Sequence, residues 1–278
     1  CSMVVHEEPF LSNPSPPTDP NSFTQLGDAF QSAMEPVSRH RRGAHYTEED
    51  DILQVVRPTL LLPFQKRLVK SQTEQALNNL LREIRSHRVL DPSCGSGNFL
   101  YVAFRVLRQL EDATIKKLMT LGHPSLGQKV GLHQLYGLDL DPNALEVARQ
   151  VLERALSNYG GTDTAPSLQC GDALQMPWPE VDAIIGNPPF QSKNKRQQVW
   201  GAEAVRALQK AFPEVPGRAD YCVYFFRRAH DHLKHGQRAG LVGTNTIREN
   251  DSRVGGLDHI VANGGTIVDA IASQKWGE

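Results

Sequence analysis

Short apolar runs alternate with amphipathic stretches from about residue 72 to residue 272. QTEQALNNLLREIRS (72–86) carries apolar residues at Ala76, Leu77, Leu80, Leu81 and Ile84, the spacing of one helical face. A short strand, Arg88 to Leu90, ends in Asp91-Pro92-Ser93-Cys94-Gly95-Ser96-Gly97, and 98–118 reads as a long helix. Leu135 to Leu140 is a second strand. Asp141 as N-cap and Pro142 in the first turn open a helix running to Leu156. Ser167 to Cys170 is a third strand and Val181 to Gly186 a fourth, broken by Asn187-Pro188-Pro189-Phe190. Helices are expected at about 199–212 and 219–234, and strands at 238–242 and 266–272. Strands alternating with helices predict an α/β fold: a mostly parallel, Rossmann-like sheet with helices on both faces. Ligands of such sheets bind at the carboxyl ends of the strands.

The pattern weakens upstream. Residues 9–20 hold five prolines and read as a linker or tail. A short helix is expected at 23–35, then a basic knot at Arg39, Arg41 and Arg42, then a helix start at Thr47 with Asp50. The chain thus divides into a Pro-rich tail (1–38) and a principal domain (39–278) with an N-terminal helical extension. An apolar strand so close to Glu278 raises the expectation that the natural protein continues.

Composition narrows the partners. With 30 Lys+Arg against 31 Asp+Glu the formal charge is −1, so any nucleic acid must be met by local basic patches. A hydrophobic content of 39% excludes disorder of the whole chain. No run of about 18 apolar residues is present, so no membrane span is expected. The first residues lack a signal peptide's basic and apolar regions, and the cytoplasm is the expected compartment. Cys1, Cys94, Cys170 and Cys222 show no C-x-x-C spacing; Cys170 and Cys222 are expected in the core. His230, His232 and His235 do not share one helical face, so no metal site is expected and they read as surface histidines. Tyr221, Tyr224, Phe225 and Phe226 read as helix core, and a monomer is expected.

Two loops carry the chemistry. Gly95 and Gly97 let a ligand approach the backbone closely. The phosphate-loop string G-x-x-x-x-G-K-[ST] is absent, and a dinucleotide fingerprint fails because Leu100 stands where its third glycine belongs. S-adenosylmethionine needs a close backbone and an acid at the tip of the next strand; Gly95, Gly97, Asp91 and Asp139 supply these, though a plain strand–helix turn stays open. In the second loop, two prolines fix the backbone after a buried strand. The Asn187 side-chain oxygen and a rigid carbonyl can then accept both hydrogens of one planar NH2 group, and Phe190 offers a face for its ring. An X-Pro-Pro strand ending is the competing explanation.

With these residues in view, DPSCGSGNFL (91–100), GLDLDP (137–142), GDAL (171–174) and IIGNPPF (184–190) resemble the ordered motifs of amino-group DNA methyltransferases. Their order, with RRGAHYT (41–47) ahead of the Gly-rich loop, resembles the class in which cofactor motifs precede the catalytic motif and target recognition comes last. The stretch 219–250 and IVDAIASQKWGE (267–278) resemble more narrowly the MmeI-like N6-adenine methyltransferases of restriction–modification and phage-defence systems. The resemblance spans 39–278 and implies a class I S-adenosylmethionine-dependent methyltransferase. It implies Tyr46 and Thr47 over the methionine end of the cofactor, and Asp91, Pro92, Cys94, Gly95 and Gly97 as its loop. It implies Asp139 on the ribose, Leu140 against the adenine, and Asp172 with Ala173 at the adenine amine. Asn187, Pro188, Pro189 and Phe190 would hold a target adenine flipped out of DNA. Lys193, Lys195 and Arg196 directly follow that loop, where phosphates would pass. Relatives of this kind add nuclease and target-recognition domains, which are not expected within these 278 residues.

Methyl transfer from a sulfonium needs neither metal nor covalent nucleophile; the protein supplies position and desolvation. Cytosine-C5 chemistry would need a cysteine, typically after proline, which none of the four provides. The remaining rivals are methylation of another planar NH2 (cytosine N4, an RNA base, a protein glutamine), a non-catalytic interaction module, and a dehydrogenase.

Overall fold

The computed structural model describes residues 2–4, 49–159, 165–190 and 193–272; for 2–4 and 193–200 it describes the backbone. After strand β1 (Ser2–Val4), helix α1 (Glu49–Val56) runs through a π-helical turn at Arg57–Leu61 into α2 (Leu62–Lys70). Then come α3 (Glu74–Ser86), β2 (Val89–Asp91), α4 (Asn98–Thr120), β3 (Leu135–Asp139), α5 (Pro142–Asn158), β4 (Ser167–Cys170) and β5 (Ala183–Gly186). Next are α6 (Lys193–Ala211), α7 (Tyr221–His232), β6 (Arg238–Leu241), short helices α8 (Asn250–Arg253) and α9 (His259–Ala262), and β7 (Thr266–Asp269).

The strands form one sheet in the order β4–β3–β2–β5–β6–β1–β7, and every described pairing is parallel. β2, β3 and β4 are laid down in one direction, after which the chain returns to the other side of β2. The reversal opens a crevice at the carboxyl ends of β2 and β5, where sheets of this build receive ligands. Alternation along β5 sorts the core into two layers. Ala183 and Ile185 pack with α1 to α5, whereas Ile184 packs with α7 and α9. The expected α/β sheet with helices on both faces is observed.

Local chemistry explains most boundaries. Thr73 caps α3 by accepting from the Ala76 amide, and Asp141 caps α5 by accepting from Asn143 at 2.9 Å, with Pro142 in the first turn. Glu111, fully buried on α4, takes the Arg85 guanidinium at 2.6 Å and the amides of Lys129 and Val130, fastening the approach to β3.

Several expectations shift. The sixth expected strand is shorter, Thr266–Asp269, and the chain gains β1 within the segment read as a tail. α6 begins at Lys193 and contains a non-helical Gly201 (φ 82°), so the basic run lies at a helix start. Cys222 is buried as expected, but Cys170 is exposed, because β4 is the edge strand and Cys170 is its last residue. Its Sγ lies 3.5 Å from the Leu140 carbonyl. The expected helix at 23–35, the basic knot 38–42 and the helix start at Thr47 lie outside the described residues.

Candidate functional site

Four strand ends build the site. Asp91 is the last residue of β2 and is 1% exposed. Its Oδ1 accepts the Ser93 amide at 3.0 Å, which turns the chain into the Gly-rich loop. Burial pushes its carboxyl up to about 8; the charge of Asp139 acts in the same direction, against the Ser93 hydrogen bonds. Pro92 beside it is buried.

The loop crosses to β3. Cys94 N donates to the Leu138 carbonyl at 2.9 Å, and Gly95 N donates to Asp139 Oδ2 at 2.9 Å. Gly95 and Gly97 have φ of 50° and 85°, which side chains rarely adopt. A Cβ on Gly97 would stand 2.9 Å from the Ala148 Cβ, so glycine sets the fit of the loop against α5. A Cβ on Gly95 would meet nothing within 4 Å, so the backbone there faces open space. The Cys94 thiol is buried and pushed well above its ordinary pKa by desolvation, which makes it inert rather than nucleophilic.

Asp139 ties the second strand end to the first. Its Oδ1 accepts the Asp141 amide at 2.9 Å while its Oδ2 holds Gly95, so both oxygens keep a lone pair for a further donor. Leu140 follows and is 68% exposed, a bare apolar side chain beside that carboxylate. At the end of β4, Gly171 N donates to the Asp139 carbonyl and Asp172 accepts from the Leu174 amide at 2.9 Å and the Gln175 side chain at 2.6 Å.

The fourth strand end is β5. Its Gly186 lies against Asp91: a Cβ there would stand 2.5 Å from Asp91 Oδ1. Asn187 follows at once, and its Oδ1 is buried with no hydrogen-bond partner. Pro188 is buried, Pro189 exposed and Phe190 40% exposed. Beside this loop, Val242 N donates to the Gly186 carbonyl at 3.0 Å, bringing the end of β6 alongside.

The structure therefore brings Asp91, Pro92, Cys94, Gly95, Gly97, Asp139, Leu140, Asp172, Ala173 and the Asn187–Phe190 loop to one edge of the sheet. Tyr46 and Thr47 lie outside the described residues. The backbone of Lys193, Lys195 and Arg196 forms the first turn of α6, directly after the Phe190 loop.

Sequence reasoning missed two supports. Gly186 reads as the plain end of an apolar strand, yet only glycine leaves room for Asp91. Arg228, mid-helix in α7, donates to the carbonyls of Ala173 (2.6 Å) and Met176 and lies 4.7 Å over the Trp178 ring. Trp178 Nε1 shares the Ala173 carbonyl at 2.7 Å. The Asp172–Met176 loop is thereby pinned to α7. A polar arginine in an aromatic helix gave no local signal for this.

A cavity of about 390 Å³ opens at the opposite edge of the sheet, lined by Arg88, Glu180, Asp182, His232 and Lys234. These residues precede strands, so this polar cavity is separate from the strand ends just described.

The sheet order, the crevice at β2 and β5, and the acid-tipped strand ends define a class I methyltransferase fold. Comparison with known proteins shows what the chain is similar to. The DNA-methyltransferase domain of MmeI matches residues 68–160, and the Eco57I restriction-modification methylase matches residues 179–263. The resemblance drawn from the motifs is upheld: the chain is similar to the MmeI methyltransferase domain over the first segment and to a restriction-modification methylase over the second. DNA methyltransferase A of Bacillus subtilis (strain 168) is 28% identical over 277 residues, covering 90% of this chain and 31% of its own length. The Type IIL restriction-modification enzyme MmeI, solved in complex with DNA, shares the fold at a TM-score of 0.65 and 23% identity, covering 86% of this chain and 35% of that one. The chain thus spans about a third of the length of either relative. Among the described residues no helix is long and apolar enough to cross a membrane.

Proposed function

We propose that this chain transfers a methyl group from S-adenosylmethionine to the N6 amine of an adenine flipped out of DNA, as the modification part of a restriction–modification or defence system. The observation that carries the reading is the Asn187 Oδ1: a buried acceptor without a partner, at the carboxyl end of β5, beside the Gly-rich loop. A buried polar group left unmade costs about 1–3 kcal/mol, so it awaits a donor from outside the protein. An aromatic NH2 group supplies one. Its lone pair is delocalised into the ring, and accepting its hydrogens at Asn187 Oδ1 and at the backbone carbonyl of Pro188 favours the pyramidal nitrogen that attacks. The exposed Phe190 ring offers the stacking face, with Pro189 fixing its approach.

The residues fit the cofactor. Asp91 and Asp139 present two carboxyl groups to a cationic ligand, the open face of Gly95 admits it to the backbone, and Leu140 offers apolar surface for an adenine. When bound, S-adenosylmethionine supplies an electrophilic methyl on a positively charged leaving group. Asp139 would hold the ribose hydroxyls, Asp172 and Ala173 the adenine amine, Asp91, Pro92, Cys94, Gly95 and Gly97 the amino-acid end, with Tyr46 and Thr47 closing over it. Lys193, Lys195 and Arg196 would take DNA phosphates. Recognition and nuclease functions would come from fused or associated domains.

The test is transfer of labelled methyl to DNA, followed by nucleoside digestion. N6-methyladenine is expected, and Asn187→Ala should lose transfer while still binding the cofactor. Label in N4-methylcytosine, in RNA or in protein would overturn the adenine assignment, and an undiminished rate in Asn187→Ala would overturn the catalytic role of this loop.

A further inference from the structure

One cluster on α7 is not used by methyl transfer. Arg227, His230 and Asp231 stand at i, i+3 and i+4 and so share one face of the helix. That face looks onto His259, the first residue of α9. One donor atom each from His230, Asp231 and His259 lie within 4.8 Å of one another, and the two imidazoles meet edge to face with centroids 5.9 Å apart. Nδ1 of His230 is buried and has no hydrogen-bond partner. Such an orphan in a native fold asks for a group that satisfies it, and an ion is one. A Cβ on Gly265, ahead of β7, would stand 3.2 Å from that nitrogen, so the chain entering β7 passes close to it.

We propose that His230, Asp231 and His259 form a binding site for a divalent transition-metal ion, Zn²⁺ foremost. Two imidazole nitrogens and one carboxylate oxygen suit a borderline-soft ion; Mg²⁺ and Ca²⁺ favour all-oxygen shells. Bonds of about 2.0–2.2 Å around a tetrahedral ion set ligand atoms roughly 3.4 Å apart, so donors within 4.8 Å of one another need draw in by at most about 1.4 Å. Asp231 is exposed, and rotation of its side chain supplies part of that. The surroundings carry the right charge. Arg227 pairs with both Asp231 and Glu214, and Glu214 Oε2 lies 3.9 Å from His259 Nδ1. Two carboxylates against one guanidinium leave an excess of one negative charge beside the imidazoles. Asp231 and His232 also line the cavity at the amino ends of the strands, so the ion sits at the edge opposite Asn187. Its role would be to fasten α7 to α9, and through α9 to the β7 strand that follows.

The chain has ten histidines, so the test must separate this site from the rest. Chain stripped of metal with a chelator is titrated with Co²⁺, followed by its visible d–d bands, and with Zn²⁺ by calorimetry. One equivalent is expected to bind, and Zn²⁺ should raise Tm. His259→Gln, at a half-buried position, and Asp231→Asn, at an exposed one, should each weaken binding by about tenfold or more and abolish the rise in Tm, while His133→Gln leaves both unchanged. No binding by the unaltered chain, or binding that persists undiminished in His259→Gln and Asp231→Asn, would overturn the proposal.

Discussion

Binding of a cationic ligand beside Asp91 should expel a proton. The Asp91 carboxyl is buried, and its pKa stands at about 8 against an ordinary 3.8. At pH 7 the group is therefore about 0.9 protonated. An ammonium or sulfonium brought against it favours the carboxylate, so S-adenosylmethionine should release close to one proton per site at pH 7 and about half of one at pH 8. The same linkage makes affinity rise by about tenfold per pH unit, or 1.4 kcal/mol, from pH 6 towards pH 8. It levels off there, where the ligand's own α-amino group begins to lose its charge. Calorimetry at pH 7 in two buffers of different ionisation enthalpy reads the proton count directly. Asp91→Asn, neutral at every pH, should bind more weakly and release none. The ligand-free chain gives an independent reading. A carboxyl raised in the folded state contributes stability that is fully present below about pH 4 and lost as pH rises to about 8, so Tm should fall across that window and fall less in Asp91→Asn. Binding by the wild-type chain with no proton released, or with the same release in Asp91→Asn, would refute the reasoning.

Three further perturbations test the supports of the site. Gly186→Ala drives a methyl to 2.5 Å from Asp91 Oδ1; overpacking of this kind costs about 1–3 kcal/mol, so both Tm and cofactor affinity should drop, and a variant unchanged in both would show that β5 yields there. Arg228→Met keeps the stem over Trp178 but frees the Ala173 and Met176 carbonyls. Its KM for the cofactor should rise about tenfold while kcat at saturation stays within about twofold, and Arg228→Lys should recover part of the loss; a fall in kcat alone would count against a positioning role. Asp139→Ala removes the acceptor for Gly95 and Asp141 and should weaken cofactor binding by at least about tenfold, measured by titration; unchanged affinity would remove Asp139 from the site.

The sheet was legible where a strand is short, apolar and followed by turn chemistry. Ala183 to Gly186 is buried on both faces and runs into Asn187-Pro188, so its end could be read to the residue. Asp141-Pro142 likewise announced α5. β1 could not be read, because three residues joined to β6 and β7 by non-local pairing leave no period in the sequence. The N-terminal helical extension was legible as such, but not its extent over 49–70, where Pro58 and Pro63 stand in the first turns of helical segments. The short helices after β6 were hidden by Gly255 and Gly256, poor helix formers whose reason is tertiary. A Cβ on Gly255 would stand 2.7 Å from Pro216, and one on Gly256 3.2 Å from Val223.

The same contrast separates the two halves of the site. On the Gly-rich side, Asp139 is already engaged by the Gly95 and Asp141 amides and Asp172 by the Leu174 amide, and Arg228 and Trp178 brace the Asp172–Met176 loop from behind. This half is held in shape by the protein itself, and its acids were visible because they end strands. The Asn187 side is different: Gly186 is fixed by its fit against Asp91, but the next side chain keeps a buried oxygen unpaired. Desolvation of that oxygen is already spent in the folded chain, so a donor arriving there gains a hydrogen bond without stripping water from its acceptor. Asp91 links the halves, because displacing its carboxyl from one side presses on Gly186 from the other. Occupancy of the first half should therefore steady the second, and a planar amine should bind more tightly once the cofactor half is filled.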